Sequence, residues 1–408
     1  MTMRPELIPA SPEPATDLET FLTAALPDIG PEEEAEVLEV LRSGRLALGP
    51  KTEAFERGLS EFVGLPWASA VSSGTAGLHL AVRALGIGAG DCVVTSSFSF
   101  IASANCIRYV GAEPVFVDID PDTLCLSPDA LTAYLDSCHV TDRGLEDPVS
   151  GRRVAAVLVV DVFGHPADWP RITAIARERG LALIADSCEA FGSRYRGSDD
   201  AVHHAGTEAD LMVLAFYPNK QLTTGEGGAV LGSGDELHAT IDSLRNQGRT
   251  PGDPWLRHGQ LGFNYRMDEL SAAVGVAQMR RAGEILVRRR VVAEWYQQEL
   301  ADSPLRLPAP APGADPAWFV YFLRTSARHD RDELVQTLLD QRIEAKAYFD
   351  PAIHQQPPYL DGSCLRGPLP VTEHAADTTL VIPFHARLRR EDVERVASAL
   401  SRALDRRS

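Results

Sequence analysis

No stretch of this 408-residue chain approaches the ~20 consecutive apolar residues that a membrane-crossing helix needs, so no membrane partner is expected. The first residues, MTMRPELIPASPEPATDLE, lack the apolar centre of a secretory signal and carry prolines instead, so residues 1–25 read as a flexible leader. Positive charge is scarce. With 39 Lys and Arg against 57 Asp and Glu, the formal net charge is −18, which argues against a nucleic acid partner. An acidic whole still leaves room for a locally basic pocket that takes a nucleotide-linked substrate. Cysteine is thin too. The six are Cys92, Cys106, Cys125, Cys138, Cys188 and Cys364, and none forms a C-x-x-C pair. Neither a zinc site nor a disulfide framework is indicated, and a reduced, cytoplasmic protein follows. Internal repeats and heptad runs are absent. What remains is an ordinary globular composition, 44% hydrophobic and 24% charged, at a length that suits one large and one small domain.

Short apolar runs at 92–95, 115–118, 157–161, 181–185 and 211–216 read as strands, with a helix at about 168–179 between two of them. A strand that is apolar on both faces is covered on both faces. This βαβ rhythm predicts an α/β domain with a mostly parallel sheet, and ligands in such sheets bind outside the carboxyl ends of the strands. Helices are expected at 31–41, with Pro31 first, three glutamates in the opening turn and Gly44 beyond the end, and at 51–62. Another should start at Asp268 and stop near Arg281, with Gly283 after it, and a separate one should run from about Glu284 to Leu300. Residues 137–153 read as a polar surface insertion. A proline-rich hinge at 305–316 then leads into a smaller C-terminal α+β domain with a strand at 321–325 and helices at 332–341 and 391–404. The expected domains are 26–300 and 301–408.

The most informative stretch is 211–231, LMVLAFYPNKQLTTGEGGAVL. A buried strand ends in a Tyr-Pro-Asn turn, Lys220 follows alone, and Gly225, Gly227 and Gly228 bring the chain back into a second apolar run. A lysine is ordinarily a solvated surface group. At the mouth of a buried strand, facing a glycine-rich return, it can instead be an amine that condenses with a carbonyl. Earlier, Ser72-Ser73-Gly74-Thr75 precedes an apolar helix, and such a start can present free N–H groups to a phosphate or simply be capped.

The segment Phe216-Tyr-Pro-Asn-Lys-Gln followed by Thr-Thr-Gly-Glu-Gly-Gly resembles the cofactor-lysine segment of the DegT/DnrJ/EryC1/StrS family of sugar aminotransferases, which use pyridoxal 5′-phosphate. The resemblance extends over roughly residues 26–404 and implies the α/β fold of PLP-dependent transferases of fold type I. It implies that Lys220 forms the Schiff base with the cofactor and that Gly74 and Thr75 meet its phosphate. It further implies that Phe100 stacks on the ring and that Asp186, in Asp-Ser-Cys-Glu-Ala-Phe-Gly, pairs with the ring nitrogen. A carboxylate there favours the protonated ring, the better electron sink. Asn264, in Gly-Phe-Asn-Tyr-Arg, would reach the phosphate of a partner subunit, so a homodimer with shared sites is implied. Two positions depart from the family's commonest pattern. Ala215 stands where a phosphate-binding serine is frequent, and Glu189 stands where Gln or His adjoins the phenolic oxygen. An ionised Glu189 would repel a phenolate, so it is expected either protonated or turned aside. Relatives that dehydrate sugars carry histidine in place of the lysine, and one branch adds an iron–sulfur cluster. Lys220 and the lack of a cysteine cluster argue against both. The segment from Tyr348-Phe349 to Pro357 resembles one that shapes the substrate side in relatives; His354 within it reads as structural, with substrate contact as the alternative. The implied reaction moves an amino group from an amino-acid donor, glutamate by analogy, to a nucleotide-linked keto-sugar, with pyridoxamine phosphate as the intermediate cofactor form. A cyclitol or aminobenzoate-type acceptor, or a non-catalytic regulator that binds PLP, stays open on sequence.

Overall fold

The computed structural model describes residues 21–405 apart from 251, 253, 255 and 327–329. Its centre is a sheet whose main path runs, in spatial order, through Trp67–Val71, Gly228–Gly232, Leu211–Ala215, Ala182–Asp186, Arg153–Val160, Asp91–Ser96 and Glu113–Val117. Gly228–Gly232 runs against both of its neighbours, and the remaining pairs along the path are parallel. Leu211 to Leu214 are fully buried, as are Val157, Leu158, Leu183 and Ile184, because helices cover both faces. The apolar runs of the sequence therefore locate the strands to within a residue or two, except that the strand expected at 157–161 begins four residues earlier, at Arg153.

Helix boundaries follow their local chemistry. Pro31–Ser43 carries Glu32, Glu33 and Glu34 in its first turn and ends at Gly44 with φ +69°, the left-handed conformation that favours glycine. The Ser73 hydroxyl accepts the Ala76 N–H and caps Gly74–Ala84, and Asp168 caps Trp169–Glu178 in the same manner.

The expectation of two helices around Gly283 is overturned. Asp268 does cap the start, accepting from the N–H groups of Leu270 and Ser271, but the helix continues unbroken from Glu269 to Glu299. A mid-helix glycine costs only about 1 kcal/mol relative to alanine. Burial outweighs that cost at both ends. Ala272, Ala282 and Ile285 belong to the core under the large sheet, and Val292, Ala293 and Tyr296 belong to a second core.

That second core packs under a three-stranded antiparallel sheet, Tyr321–Arg324, Thr379–Ile382 and Lys346–Ala347, covered by the helices Arg331–Asp340 and Arg390–Asp405. The proline-rich 305–316 segment is stitched down on both sides. Arg306 and Arg324 exchange backbone hydrogen bonds, and the Gly313 carbonyl accepts the Arg196 N–H. Residues 1–20 of the expected leader lie outside the described residues. Residues 21–25 are tied to the C-terminal part instead, since the Leu22 N–H donates to the Arg342 carbonyl and the Ala24 carbonyl accepts the Phe384 N–H.

The 137–153 insertion forms a hairpin, His139–Thr141 and Gly144–Glu146, that adds to the sheet beside Arg153. Its base is held by the buried Asp147 carboxylate, which accepts from Arg366 Nε at 2.7 Å, the Ser150 N–H at 2.7 Å and the Tyr134 hydroxyl at 3.0 Å. Among the described residues no helix is long and apolar enough to cross a bilayer.

Candidate active site

The carboxyl ends of the parallel strands meet one cavity of about 430 Å³. Ser73, Gly74 and Thr75 reach it after Trp67–Val71, Ser99 and Phe100 after Asp91–Ser96, and Val160 from the end of its own strand. Asp186, Cys188 and Glu189 come from Ala182–Asp186 and the turn beyond it, and Ala215, Asn219 and Lys220 from Leu211–Ala215 and the loop that follows. Glu226 and Gly227 precede the opposed strand, and Phe319, Tyr348 and Phe349 close the cavity from the C-terminal part. The site residues predicted from sequence thus come together, with one exception. Asn264 does not line this cavity.

The lysine loop is closed by its own backbone. Phe216 N–H donates to the Gly227 carbonyl, Thr224 N–H to the Phe216 carbonyl and Lys220 N–H to the Tyr217 carbonyl, each at 2.9 Å. Gly228 is required by a close approach, since a Cβ there would lie 2.6 Å from the Ser73 carbonyl carbon and 2.7 Å from the Gly74 nitrogen. The return strand can therefore press against the start of the Gly74–Ala84 helix. Lys220 is mostly buried, its Nζ 3.5 Å from Glu189 Oε1 and 4.1 Å from the centroid of the Phe319 ring. Phe319 is held in turn by the buried Arg289 guanidinium, which donates to the carbonyls of Trp318 and Phe319 at 3.0 and 2.7 Å.

Asp186 is fixed at both oxygens. Oδ2 accepts the Ser103 hydroxyl at 2.7 Å, and Oδ1 faces the Cys188 N–H at 3.3 Å. Ser103 is in turn 2.9 Å from the Ser99 hydroxyl. Glu189 Oε2 accepts the Phe163 N–H at 2.9 Å. Burial pushes the Glu189 carboxyl above the ordinary range, although the Lys220 charge pulls the other way. Phe100 is 62% exposed at the rim, as an aromatic with a free face must be if it is to stack on a ligand. His354 does not line the cavity; it is buried, with Nδ1 2.7 Å from the Ser97 hydroxyl.

Sequence reasoning missed Ser99, Ser103, Phe319 and the part of Cys188. Ser103 carries no local signal, because its bond to Asp186 joins residues 83 positions apart.

Behind Asp186 stands Asp161, fully buried, which accepts from the Ser187 hydroxyl, the Trp169 indole N–H and the Ala167 N–H. Burial pushes it up to about 6 from an ordinary 3.8; these hydrogen bonds offset only part of that, and the Asp186 charge adds to it. The folded chain then binds more protons than the unfolded one between those values, so stability falls as pH rises from about 4 to about 6. The loss above pH 6 is roughly 2–3 kcal/mol. In Asp161→Asn the amide oxygen keeps the Trp169 and Ala167 bonds and the titration disappears. We expect this variant to be at least as stable as wild type at pH 7, with a denaturation midpoint that no longer declines between pH 4 and 6. A decline as steep as in wild type would assign the titration to another group.

The residues at the cavity suit pyridoxal phosphate. Ser73 takes the Ala76 and Gly77 N–H groups, and the remaining first-turn N–H groups, of Gly74 and Thr75, have no carbonyl one turn back and border the cavity. A mostly buried amine stands ready for a carbonyl, a fixed carboxylate for a ring nitrogen, and Leu78, Ala102, Val160 and Phe100 form apolar walls. The Asn219 side-chain oxygen is buried with no partner among the described residues, so an acceptor is left for a ligand donor.

Asn264 is exposed elsewhere, bridged through its backbone to Asn246. Asn246 lines a second cavity of about 320 Å³ together with Arg245, Arg249, Arg257 and Arg266.

Comparison with known proteins agrees with this fold. Residues 27–401 match the DegT/DnrJ/EryC1/StrS aminotransferase family. The GDP-perosamine synthase of Caulobacter vibrioides is 34% identical over 94% of this chain and 98% of its own length. The erythromycin biosynthesis sensory transduction protein EryC1 of Saccharopolyspora erythraea is 35% identical over 88% of this chain and 92% of its own. Among solved structures, the aminotransferase TlmJ from Streptoalloteichus hindustanus superposes with a TM-score of 0.83 at 33% identity, covering 94% of this chain and 99% of that one.

Proposed function

The chain belongs to the DegT/DnrJ/EryC1/StrS aminotransferase family, whose members depend on pyridoxal phosphate, and from that premise we propose that it transfers an amino group from glutamate to a nucleotide-linked keto-sugar, yielding an amino sugar. The observation that carries this reading is the convergence of Lys220, Asp186 and the start of the Gly74–Ala84 helix on a single cavity. The cofactor, when bound, supplies an electron sink for the pair left at the substrate Cα. The protein supplies the rest. The N–H groups of Gly74 and Thr75 bind the phosphate, and the face of Phe100 supports the ring. Asp186, oriented by Ser103, holds a proton at the ring nitrogen. Lys220 is the amine that holds the cofactor carbonyl. Its free amine would take the proton from the substrate Cα and return one as general acid.

A sugar acceptor is supported by the similarity to a GDP-perosamine synthase along nearly the full length of both chains. A nucleotide-linked substrate sets the reaction in the cytoplasm. Among the described residues no arginine lines the cavity, which carries Asp186, Glu189 and Glu226 against Lys220. Anionic ligands need more positive charge than that. The arginine-lined cavity beside Asn264 supports a homodimer in which each copy adds cationic and amide groups to the other's site.

The test is to incubate the PLP-loaded protein with glutamate and a panel of nucleotide-linked keto-sugars and to read products by mass spectrometry. The expected result is an amino sugar in amounts equal to the 2-oxoglutarate released. A protein that binds the cofactor and bleaches with no amino donor would instead be a regulator, the class that the name of the sensory transduction relative suggests.

A further inference from the structure

We propose that Glu189 is the proton partner of Lys220, a carboxylate while the lysine is an ammonium ion and a neutral acid while the lysine is a free or condensed amine. The inference rests on Lys220 being the reactive amine of the proposed function, but on nothing about donor or acceptor.

The geometry separates this pair from an ordinary structural ion pair. Each side chain is largely buried, with 13% of Lys220 and 9% of Glu189 exposed, so neither charge is well solvated. Among the described residues Lys220 has no other carboxylate within ion-pair range, and on its second side it meets the Phe319 ring. Glu189 is not free to swing away. Its Oε2 is pinned by the Phe163 N–H, and its own carbonyl accepts the Gln221 side-chain amide at 2.6 Å. Oε1 is therefore left facing the amine. The separation of 3.5 Å is long for a hydrogen bond, and a small rotation about the end of the flexible lysine chain closes it.

The remaining charged and titratable groups around Glu189 favour the acid form once the ammonium is gone. Asp186 sits one turn away and raises the Glu189 carboxyl, and Lys220 is the cation that lowers it. Cys188 and Tyr348 are both held neutral, chiefly by burial, the phenol at about 12. Besides Lys220, the Phe163 N–H favours the carboxylate. A lone anion in this position carries a desolvation cost that the single backbone donor does not repay.

The step is one proton transfer. The Lys220 Nζ–H bond breaks, a Glu189 Oε1–H bond forms, and no electron pair leaves the two side chains. The pair is neutral overall before and after. A lysine that must switch between ammonium and amine can then do so without a counter-charge entering a closed site from solvent. Glutamine, with no titratable proton, could not serve in this way. Glu189 is a positioning and proton-holding residue for Lys220.

Difference infrared spectroscopy of the cofactor-free protein at neutral pH tests this without any turnover. The wild type should show no protonated glutamic acid C=O band attributable to the site. Lys220→Met, which removes the ammonium and roughly keeps the volume, should gain one such band. That band should shift on 13C-glutamate labelling and not on 13C-aspartate labelling, which separates it from Asp161 and Asp186. It should vanish in Lys220→Met/Glu189→Gln. Loading wild type with PLP should produce the same band as the lysine condenses. A band already present in the cofactor-free wild type would mean that the acid never ionises, and absence of the band in Lys220→Met would mean that it stays ionised without its partner. Either overturns the proposal. If the double variant does not fold, the labelled comparison of wild type with Lys220→Met decides alone. Because no donor or acceptor is used, failure here leaves the proposed reaction standing, and failure of the reaction leaves this result standing.

Discussion

Replacing Lys220 with alanine should abolish turnover and the visible absorbance of lysine-bound cofactor, while leaving the fold intact. The amine carries two duties, covalent attachment and proton transfer at the substrate Cα. Loss of a positioned acid–base group alone costs roughly 10²–10⁴-fold, and loss of the attachment point adds to that. The fold should survive because Lys220 lies in a loop closed by backbone hydrogen bonds from Phe216, Thr224 and Lys220 itself, which alanine retains. The carboxyl left behind on Glu189 can take up a proton, which limits the cost of losing its partner. Thermal unfolding should shift by a few degrees at most, and absorbance with added PLP should show only free or loosely held cofactor. A purified Lys220→Ala protein that sustained steady-state amino transfer would remove the lysine from the mechanism.

The second large effect concerns assembly. If Asn264 completes the site of another copy, Lys220→Ala and Asn264→Ala inactivate different halves of a shared centre. In a mixed dimer one site holds both lesions and the other holds neither. Each mixed dimer should then recover about half the wild-type activity by two-fold geometry. The experiment requires that Asn264→Ala alone be severely impaired and that subunit exchange be demonstrated, for instance by a tagged partner. Exchange without recovery would put Asn264 to work within its own chain. The observation behind the prediction is its placement, exposed and joined to Asn246 at the rim of the arginine-lined cavity and absent from the cavity that holds Lys220.

These two residues also mark where sequence reading succeeds and where it runs out. Asp186 and Lys220 each follow an apolar run that can only be a covered strand, and parallel strands present their carboxyl ends on one edge. Gly74, Thr75, Phe100 and Glu189 also follow strands or strand turns, but their local signals were ambiguous and the family resemblance assigned them to the site. Tyr348 and Phe349 were legible only through the resemblance of their segment, and Phe319 was not legible as a cavity wall, because it reaches the cavity only when the C-terminal part docks. Ser103 lies in the opening turns of a helix, where a serine has an ordinary local reading, and its bond to Asp186 is purely tertiary. Glu189 was legible as an anomaly but not in its resolution. The sequence raised the conflict between a carboxylate and a phenolate, and the fold shows that one oxygen is pinned by the Phe163 N–H while the other faces the lysine. The misreading at Gly283 has a physical cause of the same kind. A glycine weakens a helix locally, and two cores claiming the same helix outweigh it.

That shared helix limits how the molecule can be taken apart and recombined. Its first half is packed under the large sheet, and its second half fills the core beneath Tyr321–Arg324 and Thr379–Ile382. The proline-rich stretch at 305–316 looks like a seam, but a graft made there would separate Val292, Ala293, Tyr296 and Leu300 from the side chains they bury. In chimaeras with relatives, the natural exchange unit is the C-terminal sheet together with Glu269–Glu299, and the junction belongs ahead of Asp268, near Asn264 and its arginine neighbours. A donor segment cut that way would bring the helix together with the C-terminal side chains it buries, and would leave the arginines at 245–257 with the recipient.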